Sequence, residues 1–334
     1  MTLKPKFLVF ALLIFLVPEG CINKENSAMK IVFWYGNNQQ FGNQGISQPC
    51  INILGNISSK TKLKNAWFVL NGDRYHDLQI GPNNRRLQYP GDFNIELDTD
   101  CLLQGENTIK VIATDSLGNK GSQSIKFQYS PGKWELPYAV SWDTVSNIQN
   151  AVQVVDGEWK IDSSGATVIK PGYDRLLNVG DYTRWENYEI TVKVTPHGLK
   201  GWVSVGLRWK GHYREKDEDH PYNGWNNAGC SGWIILHEKQ LWYEYATGES
   251  NPQKMIVNID NEIPFYWKMK VETVVPGNHL YSQRIWKTSE EEPTGWMEVL
   301  ESPIDKFKTG SVYLLAHESG VTFGNFVVKE LINP

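Results

Sequence analysis

Three features of the sequence predict an all-β protein built as two sandwiches in series. Aromatic residues make up 12% of the chain, beside 29 glycines and 16 prolines, the mixture that short strands and tight turns need. Many strand-length segments alternate apolar and polar residues, and beyond the N-terminus no long segment places apolar residues at helical spacing. A length of 334 residues suits about two domains.

The first element in chain order is an export signal. Residues 1–21 hold Lys4 and Lys6, an eleven-residue apolar run Phe7–Val17, and Gly20-Cys21 at a cleavage point. The run is too short to span a bilayer, which needs ~20 residues. Gly20-Cys21 resembles the lipobox of prokaryotic lipoproteins, which implies that Cys21 is the lipid anchor and that the membrane is met through it alone. An ordinary secretory signal with an incidental cysteine is the alternative. Residues 22–30 are polar and suit a tether. The expected location is therefore exported, at the cell surface or membrane-anchored, and secreted if Cys21 carries no lipid.

Residues 31–130 form the first expected domain. Strand candidates are Cys50–Ile57, Ala66–Asn71, Asp92–Leu97, Thr108–Ala113 and Ser122–Tyr129, separated by turns such as Asn71-Gly72-Asp73 and Leu117-Gly118-Asn119. The segments INILGNIS, FVLNG, GENTIKVIATDSLGN and SIKFQYS resemble bacterial immunoglobulin-like or cadherin-like modules of extracellular proteins. That resemblance implies an immunoglobulin-like sandwich. It also implies that Cys50 and Cys101 lie on antiparallel neighbours and form a disulfide, which an exported location permits. Two buried thiols are the alternative. Asp115 in Asp-Ser-Leu-Gly-Asn suits a turn better than a calcium loop. No cofactor is implied anywhere in the chain, structural calcium being the one metal left open.

Residues 131–137 read as a linker, opened by Pro131-Gly132, and residues 138–334 as a larger domain. Twelve of the fourteen tryptophans lie at or beyond Trp134. Twelve strand candidates follow, among them Val152–Trp159, Ala166–Lys170, Tyr188–Thr195, Gly201–Trp209, Trp233–His237, Gln240–Ala246 and Ser311–Ala316. Asp143–Val152 reads instead as a possible short helix. So many strands exceed one immunoglobulin-like sandwich and suit a two-sheet jelly roll. The phrases DGEWKI, PGYDRLLNVGDYTRWENYEITVKVTP, VSVGLRWKGHY, RIWKTSEEEPTGW and GSVYLLAHESGVTFGNFVV resemble the concanavalin A-like lectin/glucanase superfamily, particularly its laminin-G-like modules. The fold so implied is a concanavalin A-like jelly roll, which hosts lectins, hydrolases, lyases and spacers alike.

Catalysis of the kinds known on that fold finds little support. Retaining glucanases hold Glu-x-Asp-x-Glu on one strand, with two carboxylates ~5–5.5 Å apart. The nearest pair here, Glu186 and Glu189, would point to opposite faces of a strand. Alginate-lyase-like jelly rolls carry Tyr-x-Lys-x-Gly-x-Tyr, which Tyr266-Trp267-Lys268-Met269-Lys270 begins but does not complete. Arg208, His212 and His237 remain as catalytic candidates for an unfamiliar hydrolase or lyase. Cys230 reads as a structural thiol.

The stretch from Gly201 to Tyr245 concentrates the candidate binding chemistry. Five tryptophans lie in it, and two strand-like runs flank a polar loop, Lys210–Gly232. Trp209, Trp233, Tyr222 and Trp225 offer flat faces for a sugar ring, and Arg208, Asp219 and His220 offer polar contacts. Trp202, Trp267 and Trp286 read as core. The alternation of Val203, Val205 and Leu207 places Arg208 on the open side of the sheet. The leading function is binding of a glycan or other extracellular ligand. A polysaccharide-active enzyme and an adhesion or spacer protein with a protein ligand are the alternatives. A formal charge of −4 argues against nucleic acid, which wants a basic stripe.

Overall fold

The computed structural model describes residues 29–331, except 74, 84, 213–228, 246–253, 276–277 and 302–307. The expected export signal, Cys21, Asp219, His220, Tyr222 and Trp225 therefore lie outside the described residues. Those described are almost entirely sheet and turn, so the protein is all-β.

The first sandwich uses β1 (Met29–Phe33), β2 (Asn38–Phe41), β3 (Cys50–Ser59), β4 (Leu63–Leu70), β5 (Tyr75–Asp77), β6 (Asp92–Asp98), β7 (Gly105–Asp115) and β8 (Lys120–Tyr129). One sheet has the order β1-β3-β6, the other β2-β8-β7-β4-β5. All pairs are antiparallel except β2 with β8, which run parallel. Ile51, Ile53, Phe93, Ile95, Val111 and Phe127 fill the space between the sheets. Burying each such side chain stabilises by roughly 1.5–3 kcal/mol, and a one-residue slip of β3 would turn its isoleucines outward. That is what holds its register against β6.

The second sandwich begins with β9 (Tyr138–Val140), β10 (Gln153–Asp156), β11 (Trp159–Asp162), β12 (Gly165–Val168), β13 (Arg175–Val179) and β14 (Tyr188–Pro196). It continues through β15 (Trp202–Trp209), β16 (Cys230–Ile235), β17 (Gln240–Tyr245), β18 (Met255–Ile256) and β19 (Phe265–Val275). It ends with β20 (Asn278–Lys287), β21 (Met297–Glu301), β22 (Ser311–His317) and β23 (Val321–Glu330). A seven-stranded sheet runs β10-β13-β22-β15-β16-β17-β18, and an eight-stranded sheet runs β11-β12-β23-β14-β19-β20-β21 with β9 beside β23. Val203, Val205, Leu207, Leu314, Trp267, Met269 and Phe323 pack between them.

The outer face of β3 and β6 does not look into solvent. It is polar, and it closes against β10. Arg86 is the centre of this seam: its guanidinium meets Glu96 at 2.8 Å and Asp156 at 2.7 Å. Asn94 donates to the same Asp156 oxygen at 2.9 Å and to the Val155 carbonyl at 2.8 Å. Gln153 donates to the Cys50 carbonyl, and His212 stands 3.5 Å from the second Asp156 oxygen. Apolar contacts add to it, since Leu54, Trp34, Tyr35 and Trp134 join the core of the second sandwich.

Two expectations are corrected. Cys50 is buried, Cys101 is exposed, and the two form no disulfide with each other. Cys50 pairs in register with Asp98, after which a 3-10 turn at Thr99–Cys101 carries Cys101 to the surface. The buried Cys50 thiol instead donates to Glu96 at 2.9 Å. Asp143–Val152 is not one helix but holds two separate 3-10 turns, Trp142–Thr144 and Ile148–Asn150. Trp142 and Ile148 are buried among core residues, and tertiary packing there outweighs the local helical spacing.

Candidate ligand-binding face

Alternation along the seven-stranded sheet gives it two faces. One supplies the core; the far face carries a second apolar layer containing Leu176, Trp209, Trp233, Trp242, Tyr313 and Leu315. Cross-strand register assembles that layer: Trp202 lies opposite Ile235 and His317, Ser204 opposite Trp233 and Leu315, and Trp233 opposite Trp242. Trp233 and Trp242 stack at 6.2 Å with planes 19° apart. Trp202 meets both edge-on, at 5.8 and 5.6 Å. The stacked pair is nearly buried, whereas Trp202 is 37% exposed. An indole held on two sides with one side open is a rigid platform. It costs little conformational entropy to use.

Polar groups adjoin this platform. His317 lies 5.4 Å from the Trp202 ring, and its Nδ1 is 3.0 Å from an Asp174 oxygen. Burial pushes the Asp174 carboxyl up, and the His317 bond opposes that. Tyr173 packs against His317 at 4.7 Å. Burial also raises the Glu244 carboxyl, with a hydrogen bond from Trp233 opposing. Deeper in the layer, the Tyr313 hydroxyl donates to Ser231 at 2.6 Å and lies 3.2 Å from Ser204. Gly206 makes room for this tyrosine, because a Cβ there would stand 2.0 Å from its ring.

Arg208 is corrected most sharply. It is fully buried, not on the open side. A bulge between Gly206 and Trp209 breaks the alternation, and Arg208 takes φ 58°. Its guanidinium donates to the Glu186 carbonyl at 2.8 Å and to Thr273 at 3.1 Å, while its backbone N–H donates to the Tyr188 hydroxyl. Gly310 packs on the bulge so closely that a Cβ would stand 2.1 Å from the Arg208 carbonyl carbon. Trp209 is buried as well, edge-on to His212 and Tyr313. Neither residue offers a surface contact.

The three catalytic candidates are not gathered. Arg208 braces the segment that leads into β14, His212 is buried in the seam, and His237 lies on an exposed turn beside Glu238. Trp233 does stand in the aromatic layer, and Trp267 is core. Trp202, expected in the core, is the exposed member of the layer. Its place as the first residue of the strand, ahead of the alternating valines, was the available signal. No three His, Cys, Asp or Glu residues gather for a metal ion among the described residues. Asp115 caps its own turn, accepting from the Leu117 and Asn119 backbone.

No family model and no curated protein matches the sequence. Solved structures similar to the chain include the endo-β-1,4-mannanase of Thermotoga petrophila. That match has 12% identity and a TM-score of 0.25, over 33% of this chain and 22% of that one. A legume lectin-like domain of Entamoeba histolytica matches at 10% identity and TM-score 0.34, over 53% of this chain and 88% of that one. A Bacillus subtilis protein of unknown function with a galectin-like fold matches at 10% identity and TM-score 0.36, over 59% and 96%. The chain spans about a fifth of the mannanase. At scores this low the likenesses say nothing about what this chain binds.

Proposed function

We propose that this chain binds a carbohydrate on the far face of its seven-stranded sheet, with Trp202 as the platform. One observation carries the reading: three tryptophans gather on the face turned away from the core, and the outermost is left open beside polar side chains. A stacked aromatic contributes about 0.5–1.5 kcal/mol beyond its area, so affinity has to come from several rings and polar contacts acting together. Trp202→Ala should weaken polysaccharide binding by about 1–3 kcal/mol in calorimetric titration, with little change in melting. A variant that binds normally removes this face from consideration.

The pair His317–Asp174 favours a second reading, turnover of the same ligand. A carboxylate on one imidazole nitrogen orients the ring so that the other can act as a base. Incubation with polysaccharides and assay of reducing ends or unsaturated products separates the two readings, since His317→Ala would abolish product only in the second. A protein ligand, the adhesion alternative, would leave a glycan array blank. Export and anchoring through Cys21 belong to the same proposal. Cys21→Ser should then move the protein from the membrane fraction to the soluble one.

A further inference from the structure

We propose that the ligand of the Trp202 face is an anionic saccharide, and that the first sandwich supplies one of the groups that hold it. This rests on the glycan reading above.

A file of rings crosses the far face from Tyr173 to Trp242, each touching the next. Tyr173 meets His317 at 4.7 Å, His317 meets Trp202 at 5.4 Å, and Trp202 meets Trp242 at 5.6 Å. A cation stands at each end. The Arg85 guanidinium lies 5.4 Å from the Tyr173 ring centre, and the Lys254 ammonium lies 5.9 Å from that of Trp242. Cations over ring faces are attracted by the ring quadrupole and keep their charge beside the surface on which a sugar would stack. Neutral sugars need only the rings and hydrogen bonds. A positive charge at both ends, on a chain whose net charge is −4, fits a ligand that carries negative groups along its length.

Two of the carboxylates nearby, Asp174 and Glu244, do not cancel this arrangement. Asp174 is bound by His317 and largely buried. Burial of Glu244 disfavours its ionised form. Arg85 belongs to the first sandwich, yet its segment is fastened to the second. Gln88 accepts from the Tyr173 N–H at 3.1 Å, and the Tyr89 hydroxyl donates to the Pro171 carbonyl at 2.6 Å. Asn83 ties the segment internally by accepting from the N–H groups of Arg85 and Leu87. The binding face is thus composite, and the seam between the sandwiches is what places Arg85 at its rim.

Uronate carboxylates and sulfate esters share the required chemistry. The test titrates the full chain with polygalacturonate, a sulfated galactan and a neutral galactan, at low and high salt. We expect at least one of the charged polymers to bind about tenfold more tightly than the neutral one at low salt, as a charge-assisted contact implies. The advantage should shrink as salt screens it. Which polymer is preferred identifies the anion. The double variant Arg85→Gln/Lys254→Gln, checked by melting for intact folding, should lose that advantage. If the neutral polymer binds as tightly as both charged ones and Trp202→Ala abolishes that binding, the anionic inference is overturned and the glycan reading stands. If no polymer binds, or Trp202→Ala changes nothing, both fall.

Discussion

Asp156 is fully buried, and Arg86 alone does not settle its charge state. Burial outweighs the attraction of Arg86 and pushes the Asp156 carboxyl up to about 6, because Arg86 is shared with Glu96. Burial also tends to raise Glu96, but Arg86, His212 and the Cys50 thiol together hold it at about 2. His212 is driven well below its ordinary value by burial and by Arg86. The two unusual shifts act in opposite directions on stability. Asp156, raised when folded, favours the fold below its unfolded value near 4 and loses that contribution as pH rises through about 6. His212, depressed when folded, favours the fold above its unfolded value near 6.5 and costs stability as pH falls below it. The wild type should therefore show a shallow pH dependence between about 6.5 and 4. Asp156→Asn keeps an acceptor for Arg86 and Asn94 while removing a buried charge that costs up to about 3 kcal/mol. It should be the more stable protein at pH 7 and lose stability more steeply on acidification. Urea titrations at pH 7, 5.5 and 4 check this, and parallel curves for the two proteins would refute it.

The β15 bulge shows what a strand's sequence conceals. Alternation in this strand was legible as far as Gly206, and in β14 it runs unbroken from Tyr188 to Pro196. Two residues later the bulge turns Arg208 inward, where it ties β15 to the start of β14 and to Thr273 of β19. Nothing in the order Gly-Leu-Arg-Trp marks that turn. Arg208→Ala should accordingly cost about 3–5 kcal/mol of stability, a cavity together with orphaned acceptors, and leave binding per folded molecule unchanged. Melting and titration on the one variant check both halves. β13 was missed for a related reason. All five of its residues are buried, Arg175 and Asn178 among them, so no period of two is present to read. Of the candidate face, aromatic content was legible and position was not. Trp233 was recognised beside Trp209, but only register distinguishes the buried ring from Trp202, its neighbour in space.

At the scale of the molecule, the seam joins residues that the sequence keeps far apart: Arg86 and Asp156 are separated by 70 positions. A segment 138–334 has its two sheets, but without the first sandwich it loses Arg86 from Asp156 and Trp134 from its edge-on contact with Trp185. The full chain should unfold in one transition, and the 138–334 fragment should melt at least about 4 °C lower, since each kcal/mol is worth about 2–4 °C at this size. Calorimetry on both settles it; equal midpoints would mean that the seam contributes nothing. A different consequence follows from the parallel pairing of β2 with β8, four residues long. The chain enters this pair at the start of β2 and leaves it at the end of β8 on the way to the second sandwich. Tension that reaches β2 therefore drags the two strands past one another lengthwise. Their hydrogen bonds carry the load together and do not peel apart one after another. That short edge is a shear pin, set in the line of force between the N-terminal side of the chain and the second sandwich.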